Sequence, residues 1–384
     1  MTSTVWTQVA LGAYCSKIGS GSTPRGGDSV YVEAGTALVR SQNVYNGEFA
    51  YGGLAFIDDP QADALKGVTL KADDVLLNIT GDSVARCCVV PADVLPARVN
   101  QHVAIIRPGT GEFDARFLAY YFISPFMQQV MLSMAGGGGT RKALTKEMIE
   151  RFAVPKPPLQ SQERIVSLLA GYDDLIANNR RRIQLLEDSV RLLFDEWFVR
   201  LRFPGHESST FVDGVPQGWS CQPLRNSVVL HYGKALKAEV RSEGGAVPVY
   251  GSSGIVGTHD KALVKGPGIV VGRKGNVGSV FWSSGDFHPI DTVYFLDAAT
   301  SDLYLYCALQ RMQFISTDVA VPGLNRDLAY SRPLLLPPDG LKLQFLELAS
   351  PIRAQIDTLT ALTDKLRTAR DLLLPRLMSG ELSV

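Results

Sequence analysis

The sequence predicts an α+β protein: two mixed α/β domains related by a pseudo-twofold and separated by two long antiparallel coiled-coil helices. Two observations carry this expectation. The chain twice makes a proline stop and then launches a strongly periodic helix, at VPKPPLQSQERIVSLLAGYDDLI from Val154 and at LLLPPDGLKLQFLELASPIRAQIDTL from Leu334. Clustered prolines forbid helix, so each cluster marks an entrance. The stretch before each entrance also carries the same succession of strand and turn signals, a faint internal repeat. At 384 residues the chain exceeds one ordinary core, and two or more domains are expected.

The first domain is expected over residues 1–157. It opens with WTQVAL (6–11), and the second domain opens with WSCQPL (219–224) behind a turn-rich FVDGVPQG. Within the first, VLLNITGDSVARCCVV (75–90) reads as strand, glycine turn, strand, as does IVVGRKGNVGSVFW (269–282) in the second. VNQHVAII (99–106) and PIDTVYFL (289–296) predict a further strand each. Helical stretches follow at 117–134 and 303–316, then a glycine-containing loop, GGGGTRKAL or VPGLNRDL, before each proline stop. The second domain is expected over residues 206–338.

The spacer helices are expected over residues 158–205 and 339–384. Apolar residues recur at alternating spacings of four and three: Ile165, Leu169, Tyr172, Ile176, Asn179, Ile183, Leu186, Val190, Leu193 and Trp197. Displaced by 180 residues, the second series is Phe345, Ala349, Ile352, Ile356, Leu359, Thr363, Leu366, Arg370, Leu373 and Leu377. A sustained alternation of this kind is the seam of a coiled coil. Helices of roughly 35–40 residues would be about 50–60 Å long, longer than a small domain is wide. Asn179 would fix register, Arg370 would need a partner or an outlet to water, and Pro375 would kink or end the second helix.

Composition excludes several classes. Hydrophobic residues make up 46% and charged residues 20%, values of a globular chain rather than a disordered one. No uncharged apolar run approaches the ~18 residues of a membrane span, and the start lacks a secretory pattern. The five cysteines, Cys15, Cys87, Cys88, Cys221 and Cys307, form no CxxC pair, which fits a reducing cytoplasm rather than a disulfide framework or zinc site. Lys+Arg and Asp+Glu are both 38, so any nucleic-acid surface must come from local clusters such as Arg141-Lys142, Arg180-Arg181-Arg182 or Arg273-Lys274. Each cluster taken alone reads more readily as a solvated face. GRKGNVGS lacks the GxxxxGK[ST] spacing and sits between strands, and neither HExxH nor GxSxG is present. No catalytic residue and no metal ligand is assigned.

Taken in order, GSGSTPRGG (19–27), LVRSQNVYNG (38–47), LLNITGDSVARC (76–87), VNQHVAIIRP (99–108), VYGSSGIVG (249–257), GIVVGRKGNVGSV (268–280), PGLNRDL (322–328) and LLLPRLMSGEL (372–382) resemble the specificity subunit of type I restriction–modification systems. The resemblance covers almost the whole chain. It implies two target-recognition domains, each reading half of a split DNA sequence. It also implies a helical ruler that docks two methyltransferase subunits and, through them, restriction subunits. S-adenosylmethionine would belong to the methyltransferase partner, and ATP and magnesium to the restriction partner, with no cofactor in this chain and no membrane contact.

Base readout needs polar side chains on loops, with basic residues and backbone amides on phosphates. The candidates in the first domain are Ser22, Thr23, Arg25, Arg40, Ser41, Gln42, Asn43, Thr80, Asp82, Gly139, Thr140, Arg141 and Lys142. Those in the second are Lys234, Ser252, Ser253, Arg273, Lys274, Asn276, Asn325 and Arg326. Each competes with the plain reading of a polar turn. Two other functions fit the plan: the recognition subunit of a methylation-only or other phage-defence assembly, and a coiled-coil scaffold that binds only protein.

Overall fold

The computed structural model describes residues 6–136, 142–212, 214–241, 244–314, 323–382 and 384. The chain divides into two compact units, residues 1–177 with 363–384, and residues 178–362. The division runs through both long helices, Leu159–Phe194 and Asp339–Met378.

In the first unit, strands Cys15–Ser20, Val103–Pro108, Val75–Asn78 and Cys87–Val89 form an antiparallel sheet in that order. A second sheet orders Ala97–Val99, Thr36–Val39, Ala55–Ile57 and Tyr31–Val32, its first pair parallel. The opening strand Gln8–Ala10 pairs with Ala153–Pro155, just before the first long helix. The predicted strand at 99–106 is therefore two strands, broken where Asn100 is buried and its Oδ1 accepts a hydrogen bond from the His102 amide. The helical stretch at 117–134 also divides, into Ala115–Ile123 and Pro125–Gly136, because Pro125 restarts the helix. Phe117, Phe122, Phe152, Ile165, Leu169 and Leu377 share one core.

The second unit repeats the plan. Strands His231–Tyr232, Val293–Leu296, Gly268–Gly272 and Val280–Ser283 follow the same spatial order, and Ser220–Pro223 pairs with Pro333–Leu336. The correspondence extends to single hydrogen bonds. Gly21 N donates to Val103 O and Gly233 N to Val293 O. Only glycine fits there, since a Cβ would stand 2.0 Å from the carbonyl oxygen of Val99 or Ile290 respectively. Likewise Leu144 N donates to Ile79 O and Leu324 N to Arg273 O, both at 2.8 Å.

Every residue of the two four–three series is buried or half-buried. In the first unit the start of the first long helix runs against the end of the second, antiparallel: Asp173 Oδ1 meets Arg370 Nη1 at 2.6 Å while Ile165 and Leu377 share the core. Tyr120 Oη donates to the other oxygen of Asp173 at 2.5 Å. Burial and this carboxylate push the Tyr120 phenol up. In the second unit the arrangement is reversed. Phe194, Trp197 and Phe198 surround Phe345, with ring centroids 5.9, 6.3 and 5.2 Å away. Pro375 does not end the second helix, which continues to Met378 and also passes through Pro351. Both prolines are exposed, so the carbonyls they leave unbonded face solvent.

Candidate nucleic-acid interface

A notch in the first unit, ≈ 460 Å³, is lined by Ser41, Gln42, Tyr45, Thr80, Gly81, Asp82, Ser83, Arg86 and His102. The Val75–Asn78 strand leads into its Thr80–Ser83 side. Asn78 is fully buried, and its Nδ2 donates to Ser41 O at 2.9 Å, tying the 41–45 segment to the sheet. The turn at Gly81 needs positive φ (+74°), and Gly81 N donates to Lys142 O. Thr80 Oγ1 lies 2.7 Å from His102 Nδ1, and the opposite ring nitrogen faces the Gln101 amide at 3.4 Å. The group facing the ring there is an amide and not a carboxylate, so this pair lacks the third member of a Ser-His-Asp triad. The Arg86 guanidinium lies 4.7 Å from the Tyr45 ring centroid, a cation–π contact that holds its planar fork in place.

Four sequence candidates, Ser41, Gln42, Thr80 and Asp82, thus meet in one notch. Ser22 and Arg25 are exposed and Thr23 half-buried, and Ser22 N is bound to Val99 O beside the same sheet edge. Lys142 is exposed; Gly139, Thr140 and Arg141 lie outside the described residues. Arg40 is half-buried, with Nη2 donating to Gly53 O at 2.6 Å and the guanidinium over Tyr31. Gln42 Nε2 donates to the same carbonyl at 3.1 Å. Asn43 corrects an expectation. It is fully buried; its Oδ1 accepts from Arg40 N at 3.0 Å and its Nδ2 donates to Ala50 O at 2.9 Å. It holds the loop closed and presents nothing outward.

In the second unit Lys234, Arg273 and Lys274 are gathered by main-chain bonds, from Lys234 N to Pro289 O and from Arg273 N and Lys274 N to Thr292 O. The Arg273 guanidinium lies 5.1 Å from the Tyr232 centroid and 5.7 Å from that of Tyr294, and its Nη1 donates to Asp291 O at 3.2 Å. Arg326 lies 5.2 Å from the Tyr232 ring and 5.9 Å from Tyr330. Burial raises the Tyr294 phenol, with Tyr232 adding to the rise and Arg273 opposing it. Lys274, Asn276 and Ser253 are exposed. Ser252 is a second correction: it is 9% exposed, and its Oγ accepts from Asn276 N at 3.4 Å, shaping the turn from beneath. Asn325 is exposed, but its Oδ1 caps the short helix Arg326–Ser331 by accepting from Asp327 N.

The sequence reading missed Tyr45, Arg86, Tyr232 and Tyr294. The available signal was an aromatic residue near each polar turn, a pattern that becomes informative only once the sheet brings ring and cation together. The frames match, but the side chains on them do not. Ser20 pairs with Ala104 where Tyr232 pairs with Tyr294, and Ile79 stands where Arg273 does. Both surfaces carry guanidiniums stacked on tyrosine rings, Arg40 and Arg86 on the first and Arg273 and Arg326 on the second, but at different places on the frame.

Residues 39–188 match the family model described as a type I restriction modification DNA specificity domain. The type I restriction enzyme MjaIX specificity subunit of Methanocaldococcus jannaschii is 23% identical over 328 residues, spanning 75% of this chain and 74% of that one. The type I restriction enzyme HindI specificity subunit of Haemophilus influenzae is 24% identical over 163 residues, 42% of this chain and 35% of that one. The crystal structure of a type I restriction–modification system S subunit from M. genitalium superposes with a TM-score of 0.59 at 16% identity, covering 98% of this chain and 97% of that one. Its likeness bears on the fold, and the sequence matches on the DNA specificity domain. Residues 39–188 thus carry a type I restriction modification DNA specificity domain, and over three quarters of its length the chain is similar to a type I restriction enzyme specificity subunit.

Proposed function

We propose that this chain binds a bipartite, asymmetric target in double-stranded DNA. The domain of residues 1–157 reads one half and that of residues 206–338 the other, with the segments 158–205 and 339–384 as spacer. The observation that carries this reading is the pair of matching frames with different side chains at equivalent positions, Ile79 against Arg273 and Ser20 against Tyr232. One chain would then read two different half-sites. Helices of 36 and 40 residues are stiff enough to hold half-sites about one helical turn apart, roughly 34–36 Å.

The same reading has the chain recruit two methyltransferase subunits and, through them, restriction subunits, in the cytoplasm. S-adenosylmethionine would serve the methyltransferase, and ATP with magnesium the restriction partner. Support comes from leucines left exposed on the long helices, Leu168 and Leu175 in the first unit and Leu185, Leu192 and Leu348 in the second, each 38–57% exposed. Apolar groups on a helix surface are what a protein partner covers.

The test is base-resolution methylation of a genome carrying the chain and its methyltransferase, against a strain with this gene deleted. Loss of N6-methyladenine at one split motif is the expected result. Replacing residues 1–157 with another recognition domain should change one half of that motif only; a change in both halves refutes the modular reading. Unchanged methylation on deletion, with the methyltransferase active, favours the protein-binding scaffold.

A further inference from the structure

We infer that Arg273 reads a guanine in the half-site contacted by residues 206–338, with Tyr232 as the residue that positions it. The inference rests on the DNA reading proposed above and assigns a base to one place within it.

Guanine presents two acceptors, O6 and N7, to the major groove, and an arginine fork bonds both at once. Adenine at the same place presents one acceptor and one donor, so a fork made only of donors meets its amino group unfavourably. Discrimination of this kind depends on a guanidinium whose plane and edge are fixed before binding.

Arg273 is held in that way. Its backbone is pinned on both sides, its N–H to Thr292 O and its carbonyl to Leu324 N. Its guanidinium lies over Tyr232 and Tyr294, and one donor is anchored to Asp291 O. Among the described residues no ion pair ties it to a carboxylate; its polar partners are Asp291 O and the Tyr294 phenol. Tyr232, 49% exposed, also lies beside the Arg326 guanidinium, so two positive groups share one ring. Nearby Lys234 and Lys274 are exposed and have the flexible stems of phosphate contacts. The equivalent frame position in the first unit is Ile79, buried against Leu144. The guanidinium is therefore a local addition to the second surface and not a requirement of the frame.

The experiment uses the full chain assembled with its methyltransferase, and duplex oligonucleotides carrying the target or one substituted base pair at a time. Initial methylation rates are compared across the set. Arg273→Ala should reduce discrimination at one G·C pair by about 10- to 100-fold and leave every other position as selective as before. That pair should lie in the half that changes when residues 206–338 are exchanged. Arg273→Lys keeps the charge and the stem but loses the fork, and should relax the same pair even if the alanine variant folds poorly. Tyr232→Leu should relax it too, and Tyr232→Phe, which keeps the ring, should restore it. An equal loss on all duplexes, with a shallower salt dependence, would make Arg273 a phosphate contact and overturn the inference, as would unchanged discrimination. A wild-type complex without any sequence preference would remove the DNA reading itself, and this inference with it.

Discussion

Asn43→Ala tests whether the first recognition surface is held together from inside. Asn43 is fully buried, with hydrogen bonds of 3.0 Å from Arg40 N and 2.9 Å to Ala50 O, and a longer one of 3.4 Å to Gly52 O. Removing the amide leaves a half-buried N–H and a half-buried carbonyl without their partner. Each such group costs about 1–3 kcal/mol, less whatever the loop recovers by relaxing, so a loss of about 2–4 kcal/mol is expected. For a unit of this size that lowers the melting midpoint by roughly 5–15 °C. Asn43→Asp keeps the acceptor facing Arg40 but turns an oxygen toward two carbonyls, so it should be at least as damaging. The assay pairs thermal unfolding with motif-resolved methylation. The expected result is a lower midpoint together with weaker selection in one half of the target. An unchanged midpoint with altered selection would mean that Asn43 faces the DNA, and would refute the assignment of this residue to the frame.

Three further outcomes are expected. A double-mutant cycle on Asp173→Asn and Arg370→Gln should give a coupling of about 0.5–1 kcal/mol, because the pair at 2.6 Å is partly exposed and screened; additive effects would show the contact to be incidental. Burial raises the Glu187 carboxyl above its ordinary value, outweighing the lowering by Arg353. A raised carboxylate favours the folded state while protonated, and that contribution is lost as pH rises through the folded value. Glu187→Gln should therefore raise the melting midpoint at pH 7, with the advantage closing toward pH 4; a constant difference across that range would contradict the titration. Matched seven-residue insertions near Asn179 and in the facing turn of the second helix keep the seam in phase and add about 10 Å. The methylated motif should keep both half-sites and widen its gap by about three base pairs, and methylation at the original spacing would end the ruler idea.

The long helices were legible in the sequence because their signal is periodic. The four–three series from Ile165 and from Phe345 picked out residues that all prove buried or half-buried, and Arg370 found Asp173 as a partner. Pro375 does not end the helix, since a solvent-facing proline leaves its freed carbonyl hydrated and the helix runs on. The loops were legible by position but not by direction. Gln42 and Asn43 are neighbours of similar chemistry, yet one is exposed and the other fully buried. A short turn has no period from which to read which side chain points inward. Tyr45 with Arg86 and Tyr232 with Arg273 are separated by about 40 residues in each case, so only the sheet makes them neighbours.

The glycine pinch at Gly21 and Gly233 has a consequence for how such a protein can change. Its bonds, and those around Ile79 and Arg273, run between main-chain atoms. They make no demand on the side chains of the loops they brace. Substitutions on the loop surface can therefore accumulate with little loss of stability, while Gly21 and Gly233 themselves cannot vary. A lineage of such chains could acquire new targets one loop residue at a time, or replace a whole unit's surface, while the scaffold stays folded throughout.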